Sequence, residues 1–152
     1  MKKVEIFSTF CENTENYKNR IAIASRLLCE GKQKDILCRY RQTTPERAGM
    51  ISVIKALKAL GRKADITVYT DSKFIVDAIK KDWMYDWIEK NDKKRANFDL
   101  WKVIYKLTEE YKIEFEWAKP SYGNIADLKA AALDIFDDIP IKKDTVYENS
   151  EA

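Results

Sequence analysis

The sequence predicts an α/β domain on a mixed five-stranded sheet, with its first three strands antiparallel and helices flanking the sheet. Two observations lead there. Three strand-like stretches follow one another through short connections near the start of the chain. After them, stretches with helical periodicity alternate with short β-branched or aromatic stretches.

The elements follow in order. Val4, Ile6 and Ser8 alternate with Glu5, Phe7 and Thr9, which predicts a first strand. Two more strands are expected over roughly Arg20–Cys29 and Lys34–Gln42, with Glu30-Gly31-Lys32 as the hairpin turn between them. A helix comes next, with Thr44 as its cap, Pro45 in its first turn and Gly61 as its end. Met50, Val53, Ile54 and Leu57 form its apolar stripe. Ile66-Thr67-Val68-Tyr69-Thr70 reads as a short strand ending at Asp71-Ser72, where another helix starts. Beyond an aromatic and basic stretch, Leu100, Val103, Ile104 and Leu107 repeat the helical stripe. Ile113, Phe115 and Trp117 mark the last strand, and Leu128, Ala131, Ala132 and Ile135 the last helix. Residues 1–136 are expected as one domain, and residues 137–152 as an acidic, loosely ordered tail.

At 152 residues and 45% hydrophobic content the chain suits one domain with one core. It has no histidine, which excludes Ser-His triads, histidine–metal sites and an imidazole base. Cys11, Cys29 and Cys38 are odd in number and widely spaced, so neither a disulfide framework nor a zinc site is expected. No apolar run is long enough to span a bilayer, and Met1-Lys2-Lys3-Val4 leads straight into a strand pattern. The expectations are therefore no membrane partner, no targeting peptide and a cytoplasmic location. Net charge is +3, but residues 137–152 carry −3, so the remainder carries +6, which suits an anionic partner.

Several motifs stand in a fixed order. Val4-Glu5-Ile6-Phe7 opens the chain, followed by Thr44-Pro45-Glu46-Arg47-Ala48 and Ala56-Leu57-Lys58-Ala59-Leu60. Thr70-Asp71-Ser72-Lys73-Phe74 comes next, then Trp83 and Trp87 ahead of Asn97-Phe98-Asp99-Leu100-Trp101. Glu116-Trp117-Ala118-Lys119 and Asn124-Ile125-Ala126-Asp127 complete the series. Over roughly residues 3–136 this series resembles the type 1 ribonuclease H family. The resemblance implies a ribonuclease H-like fold and a nuclease ancestry. That family cuts the RNA strand of RNA/DNA hybrids with two Mg²⁺ ions, one activating water and one stabilising the leaving oxygen.

The family's ions are held by an Asp ending the first strand, a Glu early in the first helix, the Asp of the Thr-Asp-Ser motif and an Asp opening the last helix. Carried over residue by residue, Asp71 and Asp127 remain, while Thr9 and Gly49 stand at the other two positions. Ser121 stands where the family's loop histidine lies, and Glu12-Asn13-Thr14-Glu15-Asn16 replaces its glycine-rich turn. Asp71 and Asp127 are expected to hold at most one Mg²⁺ or Mn²⁺, weakly. Both also suit purely structural positions, Asp71 as a helix cap and Asp127 near a helix start. Glu46, Glu12 and Glu15 are the acids that could substitute as ligands. Glycine inside a helix costs about 1 kcal/mol against alanine. Gly49 is therefore read either as drift or as space for Phe10, which with Tyr122 would fill the old pocket.

For nucleic acid, the resemblance points to Thr44, Ser72 and Lys73, and to the basic aromatic region with Trp83, Trp87, Lys93, Lys94 and Arg95. Asp82, Asp86, Glu89 and Asp92 interrupt that region, so a solvated surface with inward tryptophans is the competing reading. The leading expectation is a catalytically impaired ribonuclease H-like protein that binds RNA/DNA hybrid or double-stranded RNA. An active Mg²⁺- or Mn²⁺-dependent hybrid nuclease with a rearranged site is one alternative. A protein–protein interaction module is the other.

Overall fold

The computed structural model describes residues 1–12, 20–41, 43–121 and 123–144. Strands β1 (Lys3–Glu12), β2 (Arg20–Cys29) and β3 (Lys32–Arg41) form the expected antiparallel run. The β2–β3 turn is two residues long, Glu30 (φ 50°) and Gly31 (φ 77°), and both sit in the left-handed region. This is the geometry a tight hairpin needs to match the twist of its strands. Strand β4 (Asp65–Thr70) lies parallel to β1, and β5 (Lys112–Trp117) parallel to β4.

The sheet has six strands, in the order β5-β4-β1-β2-β3-β6, where the sequence predicts five. The extra strand, β6 (Ile141–Lys143), runs parallel to β3 at the edge. It is too short and too lysine-rich to show a period-2 pattern, and it exists because β3 offers it an open edge.

Helix α1 (Pro45–Lys58) starts as expected, with Thr44 Oγ1 accepting from the Arg47 backbone N–H at 3.2 Å. It stops at Lys58, with Ala59 rather than Gly61 closing the last turn. Helix α2 (Lys73–Lys80) follows β4 and α4 (Phe98–Glu110) precedes β5. Between them the aromatic and basic stretch contains a further helix, α3 (Trp83–Glu89), entered through Asp82 at φ 63°. Its seven residues are too few to display a helical stripe, so pattern reading passes over it. Helix α5 (Gly123–Asp134) closes the fold.

Alternation along β1 assigns each side chain to a layer. Val4, Ile6 and Phe10 pack with Ile51, Ile54 and Leu57 of α1, and with Leu100, Trp101 and Ile104 of α4. Phe7 and Cys11 point the other way, toward Leu128 and Ala132 of α5 and the small Ala22 and Ala24 of β2. Ala22 and Ala24 let α5 approach the sheet closely.

The first residues after position 136 belong to this packing. A 3-10 turn, Phe136–Asp138, buries Phe136 on the α5 side, and the Arg39 guanidinium lies 5.1 Å above its ring. Asp144 is buried and receives Arg47 Nε at 2.7 Å and Thr43 Oγ1 at 2.6 Å. The same guanidinium makes a bidentate pair with Asp99 of α4, both contacts at 2.9 Å. Burial alone would lower the Arg47 pKa, but its hydrogen bonds to Asp99 and Asp144 raise it above the usual arginine value. Arg47 thus ties the start of α1 to α4 and to the segment beyond β6. Residues 145–152, the rest of the expected acidic tail, lie outside the described residues.

Candidate functional site

Strands β1 and β4 run parallel with Ser8 opposite Thr70, so the next residues, Thr9 and Asp71, emerge side by side at the same strand ends. Open α/β sheets place their sites at such ends. Thr9 Oγ1 donates to Asp71 Oδ2 at 2.9 Å. Asp71 is nearly buried, its side chain 8% exposed, and it is not the cap of α2. Ser72 takes the cap position, and its backbone N–H is accepted by Thr70 Oγ1 at 3.2 Å.

The residue of α5 that reaches Asp71 is Lys129. Its Nζ lies 3.1 Å from Asp71 Oδ2, donates to the Phe10 carbonyl at 2.7 Å, and sits 5.3 Å from the centre of the Phe10 ring. Asp127 is two residues earlier, and on an α-helix that spacing is a rotation of about 200°. With Lys129 turned to Asp71, Asp127 is turned away. Its carboxylate is 74% exposed, and its nearest charge partner is Arg26 of β2 at 3.9 Å. Arg26 is otherwise held by Asp35, through 2.9 and 3.0 Å contacts, and by Asn124 Oδ1 at 2.8 Å. Asp71 and Asp127, paired on the sequence as a weak metal site, therefore serve different ion pairs. Lys129 was missed because the family motif draws the eye to the aspartate of that helix. The available signal was a lysine within an otherwise alanine-rich stretch.

Gly49 lies under Phe10. A Cβ placed on Gly49 would stand 3.8 Å from Phe10 Cδ1 and Cε1 and 3.5 Å from Ile75 Cδ1. Phe10 packs against the core beside the helix position expected to face it. Tyr122, the second proposed filler, lies outside the described residues, as does Glu15. Glu46 is exposed on the first turn of α1 and Glu12 is exposed at the end of β1. Those Cβ distances are ordinary contacts, so Gly49→Ala keeps Phe10 in place and gains helix propensity. The expected outcome is a stabilisation of about 1 kcal/mol, read as a raised urea midpoint with an unchanged m-value.

One oxygen of the cluster is unserved: Asp71 Oδ1 is buried with no hydrogen-bond partner among the described residues. A cation could use it, but the rest of the donor set does not fit a divalent ion. Oδ2 already receives an ammonium and a hydroxyl. Among the described residues no three acids or cysteines converge. An ion on Oδ1 would also share one carboxylate with the Lys129 ammonium, which repels it. The lysine field also acts on Cys11: burial pushes that thiol up and Lys129 pulls it part of the way back.

Of the candidate nucleic-acid residues, Ser72 and Lys73 follow Asp71 directly in the chain, while the aromatic and basic ones lie on and around α3. Trp87 is buried, 5.5 Å from Trp101, with the Arg95 guanidinium 4.4 Å above its ring. Trp83 is 38% exposed, with Lys81 Nζ 5.3 Å from its ring. Phe74, not singled out on the sequence, is 49% exposed and lies 6.2–6.3 Å from Trp83, Trp87 and Trp101. It borders a shallow cleft lined by Lys94 and Arg95 and by the acids Glu46 and Asp92. Lys73, Lys93 and Lys94 are exposed, as are Thr44 and Ser121. The inward-tryptophan reading holds for Trp87 and Trp101, while Trp83 and Phe74 leave an aromatic rim open beside cations.

Comparison with known proteins gives this arrangement a lineage. A protein-family model described as RNase H matches residues 1–132. The chain is 33% identical over 100 residues to "Ribonuclease HI" of Synechocystis sp., a match covering 62% of each chain. It is 36% identical over 108 residues to "Ribonuclease H" of Francisella tularensis subsp. novicida, covering 68% of this chain and 70% of that one. The first of these matches thus spans less than two thirds of its relative. Among solved structures, LC9-RNase H1, "a type 1 RNase H with the type 2 active-site motif", superposes with a TM-score of 0.74 at 20% identity, over 88% of this chain and 72% of that one. LC11-RNase H1 in complex with RNA/DNA hybrid gives a TM-score of 0.63 at 15% identity, over 86% and 96%. No helix among the described residues is long and apolar enough to cross a membrane.

Proposed function

The chain belongs to the RNase H family, and on that premise we propose that it is a catalytically impaired member that binds RNA/DNA hybrid. The observation that carries the reading is the Lys129–Asp71 contact. Two-metal hydrolysis needs several carboxylates around two ions about 4 Å apart. Here the one nearly buried carboxylate is neutralised from within the chain, Thr9 and Gly49 supply no charge, and Phe10 packs over Gly49. Among the described residues the site offers no nest for either ion.

Binding draws on the surfaces that remain open. Thr44, Ser72 and Lys73 lie at the starts of α1 and α2, where hydroxyl and ammonium groups suit backbone contacts. Trp83 and Phe74 form a stacking rim beside Lys81, Lys94 and Arg95, with Trp87 as its buried support. With about three phosphates engaged, affinity falls by roughly fortyfold between about 50 and about 200 mM salt. Fluorescence anisotropy of a labelled hybrid measures that slope. In the same assay Phe74→Ala is expected to weaken binding about tenfold, through the loss of one stacking platform.

Hydrolysis is tested on a labelled RNA/DNA hybrid with Mg²⁺ and with Mn²⁺. No cleavage above the metal-only control is expected, and Asp71→Asn should change nothing. Metal-dependent cleavage by the unaltered chain that disappears in Asp71→Asn would overturn the reading in favour of an active nuclease.

A further inference from the structure

Lys129 is more than an obstacle to metal. An ammonium has three hydrogens to donate. One is donated to the Phe10 carbonyl, and the Asp71 carboxylate pairs with the charge at 3.1 Å. Among the described residues no third acceptor takes the last one. The side chain is 31% exposed, and its ammonium is held at the ends of β1 and β4. Two fixed acceptors and the Phe10 ring hold the ammonium in one place. A cation held this way has lost its freedom already and costs little further ordering when it meets an anion.

The charge balance points to the class of ligand. Asp71 and Lys129 together are neutral, which removes the repulsion that a bare Asp71 carboxylate would offer a phosphodiester and leaves Glu12 as the exposed acid at the end of β1. Lys73, exposed at the first position of α2, adds a positive charge two residues after Asp71. A phosphodiester oxygen is an anionic acceptor matched to the single hydrogen on offer.

We propose that Lys129 is a resident cation, holding the place of a divalent ion at Asp71 and donating its remaining hydrogen to a backbone phosphodiester, so that nucleic acid is gripped here without metal. This rests on the hybrid-binding reading above and deepens it. No bond forms or breaks in the complex, and the phosphodiester stays intact.

The test uses the full chain in two arms. In the first, anisotropy with a labelled hybrid at fixed ionic strength compares EDTA with Mg²⁺. The unaltered protein should bind within about twofold in both, since no counter-ion has to be recruited. Lys129→Met should lose about tenfold in EDTA, and Lys129→Arg, which keeps the cation, should retain most of the affinity. Thermal unfolding of each variant shows whether the fold persists, and the arginine variant decides the matter if methionine does not fold. In the second arm, electron paramagnetic resonance follows free Mn²⁺ during titration. The unaltered chain should take up none at Asp71, and Lys129→Met should take up more than Lys129→Met/Asp71→Asn.

Mn²⁺ bound by the unaltered chain and lost in Asp71→Asn overturns the resident cation. So does hybrid binding by Lys129→Met, in EDTA, as tight as that of the unaltered chain. Absence of hybrid binding under every condition instead overturns the functional reading, and with it the phosphodiester contact. The Mn²⁺ arm would still decide whether Lys129 holds the metal's place.

Discussion

Arg47→Ala is expected to remove about 3–5 kcal/mol of unfolding free energy. Among the described residues the guanidinium is the only ion-pair partner of both Asp99 and Asp144, whose side chains are 18% and 1% exposed. Truncating it leaves two carboxylates in a poorly solvated place with no cation, and that desolvation is the main cost. The loss should also free the segment beyond β6, because Thr43 is the other side chain bonded to Asp144. Urea denaturation gives the free energy, and amide exchange at Ile141–Lys143 gives the local release. Replacing all three residues together, as Arg47→Met/Asp99→Leu/Asp144→Leu, should cost much less, because a buried ion network is hard to break one partner at a time and easier to replace whole. Equal losses in the single and triple variants would show that packing around Arg47, rather than unpaired charge, carries the effect.

Thr9→Asp/Gly49→Glu restores the family's acids on the sequence and is expected to restore no cleavage. The glutamate would begin at a buried position with its Cβ 3.8 Å from the Phe10 ring and 3.5 Å from Ile75. The rest of its side chain must then displace one of them or bury a charge, at about 2–3 kcal/mol. The aspartate at position 9 would exchange a hydroxyl donated to Asp71 for a like charge beside it. Lys129 would still hold Oδ2. Metal-dependent cleavage should require at least two further changes, Phe10→Ala to open the pocket and Lys129→Ala to release Asp71. Cleavage by the double variant alone would show that neither Phe10 nor Lys129 blocks the site.

These two cases separate what could be read along the chain from what could not. The three antiparallel strands, α1 with its Thr44 cap, and the β4 strand ending at Asp71 were legible because each is a local pattern of alternation, helical spacing or capping. The placing of Thr9 and Gly49 at two of the family's acid positions rests on the same kind of pattern, since motif spacing is a property of the chain. That Phe10 would lie against Gly49 followed from pairing a missing side chain with a bulky neighbour, and the structure places them in contact. Helix α3 and strand β6 were not legible, because each is too short to carry a period and is formed by what it packs against.

The sequence by itself determined an α/β fold of the RNase H family, and the resemblance sets Thr9 and Gly49 where that family carries two of its acids. Only the tertiary structure decided what became of the acids that remain. Asp127 and Lys129 stand two residues apart, and the rotation of one helix turns the lysine to Asp71 and the aspartate to Arg26. Direction around a helix becomes a contact only once the helix is docked on its sheet. For that reason the ion pair at the centre of this site could not be read from the order of its residues.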